Sequence, residues 1–137
     1  MLQVNPRYLL VGPRAGHRCE YCRAPEKLFN SPHEVDHIIP FGKGGQDDAL
    51  NWAALSCRWC NLHKRDHDNG IDPVTGDSAA LFHPRRQRWD DHFRASTETW
   101  CVEGLTLTGR ATIDRLRMNA LPERHARRQW ARLEAWP

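Results

Sequence analysis

The chain of 137 residues contains no run of 18 or more apolar residues, which excludes a membrane-spanning helix of ordinary length. Its first 16 residues lack the charged start, apolar centre and small-residue cleavage site of a secretory leader, so a cytoplasmic location is expected. There is no internal repeat and no low-complexity tract. Lysine is scarce too: of 20 basic residues, 17 are arginine. At 39% apolar and 27% charged residues, the composition fits a soluble globular protein better than a disordered or membrane-embedded one. The length holds one compact domain, or a small metal-held module with an extension, but not two independent cores.

Tryptophan is abundant, with six copies, and arginine is unevenly spread. Between Arg110 and Arg132 stand seven arginines against Asp114 and Glu123 alone. That excess suits phosphate contact, because a planar guanidinium forks onto phosphate oxygens where lysine acts as a point charge. The overall net charge of +3 says only that an acidic partner is tolerated.

In a reducing compartment the five cysteines need an explanation other than disulfides. Cys19-Glu20-Tyr21-Cys22 and Cys57-Arg58-Trp59-Cys60 are two Cys-x2-Cys pairs 34 residues apart. In this pattern four thiolates can close a tetrahedral shell around Zn²⁺. A shell saturated with sulfur has no open position, so this zinc is expected to hold the fold and take no part in chemistry. The competing reading, four unrelated buried or redox-active cysteines, leaves the paired spacing unexplained. Cys101 has no partner at metal spacing and reads as a small core residue in a strand.

Between the pairs, His33 to Ile39 mixes β-branched and polar residues and reads as a strand, ended by Pro40 and the Gly42-Lys43-Gly44-Gly45 loop. Trp52 to Ser56 reads as a second strand. From Arg58 to Asp66 no glycine, proline or β-branched residue interrupts a short helix. Turn signals over residues 69–76 place a boundary near residue 70, giving a module at 1–70 and an extension at 71–137 that packs on it. Residues 1–16 read as a leading segment punctuated by Gly-Pro and Gly. In the extension, Trp100 to Thr106 reads as a strand, and Thr108 as the cap of a helix in which Ile113, Leu116 and Ala120 share one side. A second helix starts at Pro122, with Ala126, Trp130 and Leu133 on one side. Arg124, Arg127, Arg128 and Arg132 gather on the other side, a face that either meets phosphates or is simply solvated.

The chemistry is concentrated between and beside the cysteine pairs. Histidine ordinarily titrates near neutrality, so His37 can accept the proton of an attacking water, an effect worth roughly 10² to 10⁴ in rate. Asp36 and Asn61 supply hard oxygens suited to Mg²⁺ or Mn²⁺. Glu34-Val35-Asp36-His37-Ile38-Ile39-Pro40, the glycine-rich loop, Asn51, and the second cysteine pair running into Asn61 resemble together the HNH (His-Asn-His) endonuclease superfamily.

The resemblance covers about residues 14–66 and implies a ββα-metal fold. It thus points to an α+β, zinc-stapled, treble-clef-like nuclease module with a mainly helical C-terminal extension. It also implies a metal-dependent endonuclease that hydrolyses phosphodiester bonds, with DNA as the expected partner. In that family His37 would be the general base, Asp36 the aspartate ligand, Asn51 the residue that orients the base, and Asn61 the occupant of the third position, where histidine often stands. His63 lies about 200° around the helix from Asn61 and takes that position only if the helix begins later. Lys64 and Arg65 share the Asn61 face and read either as contacts to the scissile phosphate or as solvated charges. On an ideal strand Asp36 and His37 point to opposite faces, so they can serve one site only if the strand ends or twists there. His33, His67, His83, His92 and His125 lack such context and read as packing or surface residues. The main rival to an enzyme is a zinc-dependent nucleic-acid-binding module that no longer cuts, and beyond it a structural protein with a tryptophan-rich surface.

Overall fold

A computed structural model describes residues 5–45 and 54–137. The fold is α+β: short antiparallel strand pairs, a cluster of four cysteines and a helical C-terminal part. The first pair joins β1 (Glu34–Asp36) to β2 (Ala54–Ser56), with Val35 opposite Leu55. Directly after β2, Cys57 caps helix α2 (Arg58–Lys64), its sulfur accepting from the Cys60 N–H. This is the ββα order expected from the sequence.

The leading segment departs from expectation. Tyr8–Arg14 forms a helix, α1, with Pro13 inside its last turn. A Gly-Pro pair reads locally as a break, but a proline so near the helix end removes only one backbone bond. Tertiary contacts compensate: the Tyr8 hydroxyl donates to Glu26 Oε1 at 2.5 Å, and the His17 ring stands 2.8 Å from the same oxygen. The other Glu26 oxygen accepts from the His33 N–H at 2.7 Å, so one carboxylate ties α1 to the first cysteine knuckle and to the approach of β1.

The remaining elements are β3 (Asn69–Ile71) paired with β4 (Ser78–Ala80), a one-turn helix α3 (Trp89–His92), β5 (Phe93–Ala95) paired with β6 (Val102–Gly104), and helices α4 (Leu107–Leu116) and α5 (Leu121–Arg132). The α4 cap is Thr106, two residues before the expected Thr108, and its hydroxyl accepts from the Gly109 N–H at 3.0 Å. Gly109 passes so close to the His92 carbonyl that no side chain fits there. Pro122 opens α5 as expected.

The two faces of α5 are a correction. Leu133 is exposed, and Arg127 is wholly buried rather than part of a charged outer face. Its guanidinium donates to the carbonyls of Trp100 and Met118 and to Asn119 Oδ1, so it collects carbonyls just beyond the end of α4, where a cation is electrostatically favoured.

The tryptophans are staples. Trp89 donates its indole N–H to the Tyr21 carbonyl at 2.7 Å, Trp136 to the Cys22 carbonyl at 3.1 Å, and Trp59 to the Arg117 carbonyl at 2.9 Å. The first two take up knuckle carbonyls, so the buried core runs unbroken from the cysteines to Phe82, Phe93, Leu116 and Trp136.

Candidate functional site

The four cysteines lie at the centre of the module. Cys19, Cys22, Cys57 and Cys60 are buried, and their sulfurs all lie within 4.8 Å of one another. Cys22 and Cys57 Sγ are 3.7 Å apart, far beyond a disulfide bond. Four sulfurs about 2.3 Å from a central zinc sit about 3.8 Å from each other on a tetrahedron, so the donor set fits structural Zn²⁺. Among the described residues this is the one cluster of three or more His, Cys, Asp or Glu groups with metal spacing. Cys101 stands apart from it, next to β6.

The Asp36–His37 step sits where β1 ends. Asp36 is the last strand residue and His37 is already outside it, which frees the two side chains from strict alternation. Asp36 is buried: its Oδ2 accepts from the Tyr21 hydroxyl at 2.7 Å, and the Lys64 ammonium stands 3.2 Å from both carboxylate oxygens. Burial raises the Asp36 pKa, and Lys64 and Tyr21 pull it back only in part. Lys64 also donates to the His37 carbonyl at 3.1 Å. Read from the sequence as a surface contact to phosphate, Lys64 is instead wholly buried, and it fastens α2 to the turn that carries His37.

His37 presents its imidazole to Arg7 at the start of α1, with Nε2 3.3 Å from Arg7 Nη1. A guanidinium can only donate, so in this contact the ring nitrogen is on the accepting side. Phe41 packs against the other side of the ring at 4.7 Å between centroids. Asn61, one helical turn before Lys64, donates its side-chain amide to Glu34 Oε2, and Arg58 approaches Glu34 Oε1 at 3.5 Å. Arg65 is exposed at the end of α2. His63 turns away from Asn61, its Nδ1 2.8 Å from the Trp59 carbonyl. Asn51 lies outside the described residues.

Two participants were absent from the sequence reading. Glu34 shares the strand face of Asp36, two residues away, a period-2 signal that was there to be read. Arg7 carried no signal, since only the unforeseen helix α1 brings it to His37.

Residues 19–67 match the family model for HNH endonuclease. The matched segment contains all four cysteines, Asp36, His37 and Asn61. A Septu protein PtuB of Bacillus thuringiensis is 27% identical over 110 residues, which cover 78% of this chain. The matched region is 38% of that relative's length, so the chain corresponds to part of the larger protein. No solved structure matches the chain. The HNH match and this relative point to a nuclease-type or nucleic-acid-related function.

Proposed function

We propose that the protein is a metal-dependent HNH endonuclease that hydrolyses phosphodiester bonds in DNA, with His37 as general base. The observation that carries this reading is the convergence of the β1 end on α2: Lys64 grips the Asp36 carboxylate and the His37 carbonyl together, beside the Asn61–Glu34 pair and the four-cysteine cluster. Residues 1–70 are read as the nuclease module and 71–137 as its extension.

In this reading Nε2 of His37 accepts a proton from water as that water attacks phosphorus. Arg7 stands beside the same nitrogen, where its guanidinium can exchange the imidazole for a phosphate oxygen. Asp36 and Asn61 would hold Mg²⁺ or Mn²⁺, with the Glu34 carboxylate as a neighbouring hard oxygen. The donor chemistry fits such an ion, with the condition that the Lys64 ammonium, which now neutralises Asp36, gives way to it. When bound, the ion would polarise the phosphate and stabilise the leaving oxygen. Asn51 is assigned to orienting the base, and Arg65, which lines the cleft between α2 and α4, to a phosphate neighbouring the scissile one.

The test is plasmid nicking with Mg²⁺ or Mn²⁺ by the zinc-loaded parent and by His37→Ala. A loss of about 10²-fold or more in the variant, with DNA binding and zinc content unchanged, supports the enzyme. Equal cutting by the two proteins defeats it. The second reading, a zinc-held nucleic-acid binder that does not cut, draws support from the cations already seated on Asp36 and against His37 Nε2. It predicts binding by the parent with no metal-dependent nicking.

A further inference from the structure

We infer that the cleft between α2 and α4 is a second phosphate site, one that anchors the nucleic-acid backbone away from the bond to be cut. The inference rests on the nucleic-acid reading above and adds to it a contact at the C-terminal end of α2. The cleft, with a volume of about 540 Å³, is lined by His63, Arg65, His67, Arg115 and Arg117, and by Asp114 alone among acids. It is therefore basic, polar and open, a shape and charge suited to a phosphodiester and unsuited to an apolar ligand.

Its walls are fixed. The Trp59 indole donates to the Arg117 carbonyl at 2.9 Å and packs against the His63 ring at 4.4 Å between centroids with the planes tilted by 42°, joining the two rims. Arg115 holds Nη1 3.5 Å from His67 Nε2, and its buried Nε has no hydrogen-bond partner among the described residues. Guanidinium donors with unspent capacity in a predominantly basic cleft are the ordinary equipment of an anion site.

The backbone gives an independent argument. Arg65 ends α2 with φ 52° and ψ −128°, and Arg117 ends α4 with φ 51° and ψ 44°. Both are positive-φ positions where glycine carries no steric penalty and is the usual occupant. Two helices meeting at one cleft thus both carry arginine where glycine would be easier. Strain of this kind is retained where the side chain is used. Among the described residues neither side chain makes an ion pair or hydrogen bond, so both remain available to a ligand.

The cleft and the candidate catalytic residues meet near the C-terminal end of α2: Arg65 follows Asn61 by four residues, about 6 Å along the axis, while His63 lies about 200° around from Asn61. At about 3.4 Å of rise per nucleotide, a strand passing over α2 would touch both within a few nucleotides.

The experiment replaces both arginines by glycine, which relaxes the backbone while deleting the charge. Zinc-loaded parent and Arg65→Gly/Arg117→Gly are titrated with a short fluorescent DNA duplex, without Mg²⁺ or Mn²⁺, between about 50 and 200 mM salt. The expected result is a variant that is folded, binds about 10-fold more weakly at low salt, and has a log–log salt slope shallower by about two. Arg65→Gln/Arg117→Gln, which keeps the side-chain length, gives the same loss. Unchanged affinity and slope in both variants overturn the inference and leave the nuclease reading standing; a parent that binds no DNA overturns both. ATP and inorganic phosphate are titrated in parallel. If they bind the parent, fail to bind the variants, and the DNA slope does not move, the cleft serves a free phosphate compound and the strand anchor is overturned.

Discussion

The Lys64 ammonium stands 3.2 Å from each carboxylate oxygen of Asp36, with the lysine side chain 1% and the aspartate side chain 5% exposed. Taking two charges out of water costs several kcal/mol for each ion, and their attraction repays this only when both are present. Lys64→Ala and Asp36→Asn each leave one buried charge unpaired and are expected to lose about 3–5 kcal/mol. Joint replacement of the pair by apolar residues should recover most of that stability. Urea denaturation of the zinc-loaded proteins measures all three, and a double variant no better than the sum of the singles would show that the pair is not a closed unit.

The four-cysteine cluster predicts one zinc per chain and a fold that depends on it. Structural zinc contributes on the order of 10 kcal/mol or more, so a strong chelator, or Cys57→Ser, should abolish cooperative thermal unfolding and the near-ultraviolet tryptophan signal. Cys101→Ser should leave the zinc content at one. Metal analysis with circular dichroism decides it; a chain that stays folded and metal-free refutes the structural assignment.

Asp72, just after β3, has a solvent-inaccessible carboxylate held by Arg110 through two bonds of 2.9 Å, and by the Val74 N–H and the Thr75 hydroxyl. The Arg110 guanidinium holds its pKa well below the ordinary carboxylate range. A carboxyl with a depressed native pKa contributes stability above its unfolded pKa of about 3.9 and loses it as the pH falls towards the native value. Asp72→Asn should therefore melt several degrees below the parent at neutral pH, and the gap should close as the pH drops below about 4. A gap constant across that window would mean that the charge is not what counts.

Gly109 is the point where α4 meets the end of α3 at His92. Any Cβ there meets the His92 carbonyl, which also accepts from the Leu105 N–H at 2.8 Å and so cannot move freely. Gly109→Ala, although it favours helix, should cost about 1–3 kcal/mol by overpacking. A rise in Tm for this variant would show that α3 can yield.

The paired cysteines and the order strand, strand, helix were legible in the sequence, because spacing and local propensity encode them directly; β1, read as running to Ile39, stops at Asp36. Lys64, Arg127 and Arg7 were not. Lysine and arginine are ordinarily solvated, and only tertiary placement can reveal a carboxylate waiting inside, as for Lys64, or a ring of carbonyls, as for Arg127. Arg7 depended on α1, whose Gly-Pro pair argues locally for a break while the Tyr8–Glu26 bond holds the helix from outside. The sequence likewise offers no sign that His67 meets Arg115, 48 residues away.

The Trp136 indole reaches back to the Cys22 carbonyl, 114 residues earlier in the chain, and Trp89 takes the neighbouring Tyr21 carbonyl. Retention of a zinc in the cluster is thus expected to depend on a side chain far along the chain from its ligands. Trp136→Phe keeps the ring but deletes the bond, and it should quicken zinc exchange without touching a ligand; the emission of that tryptophan is in turn a built-in optical gauge of whether the knuckle is loaded.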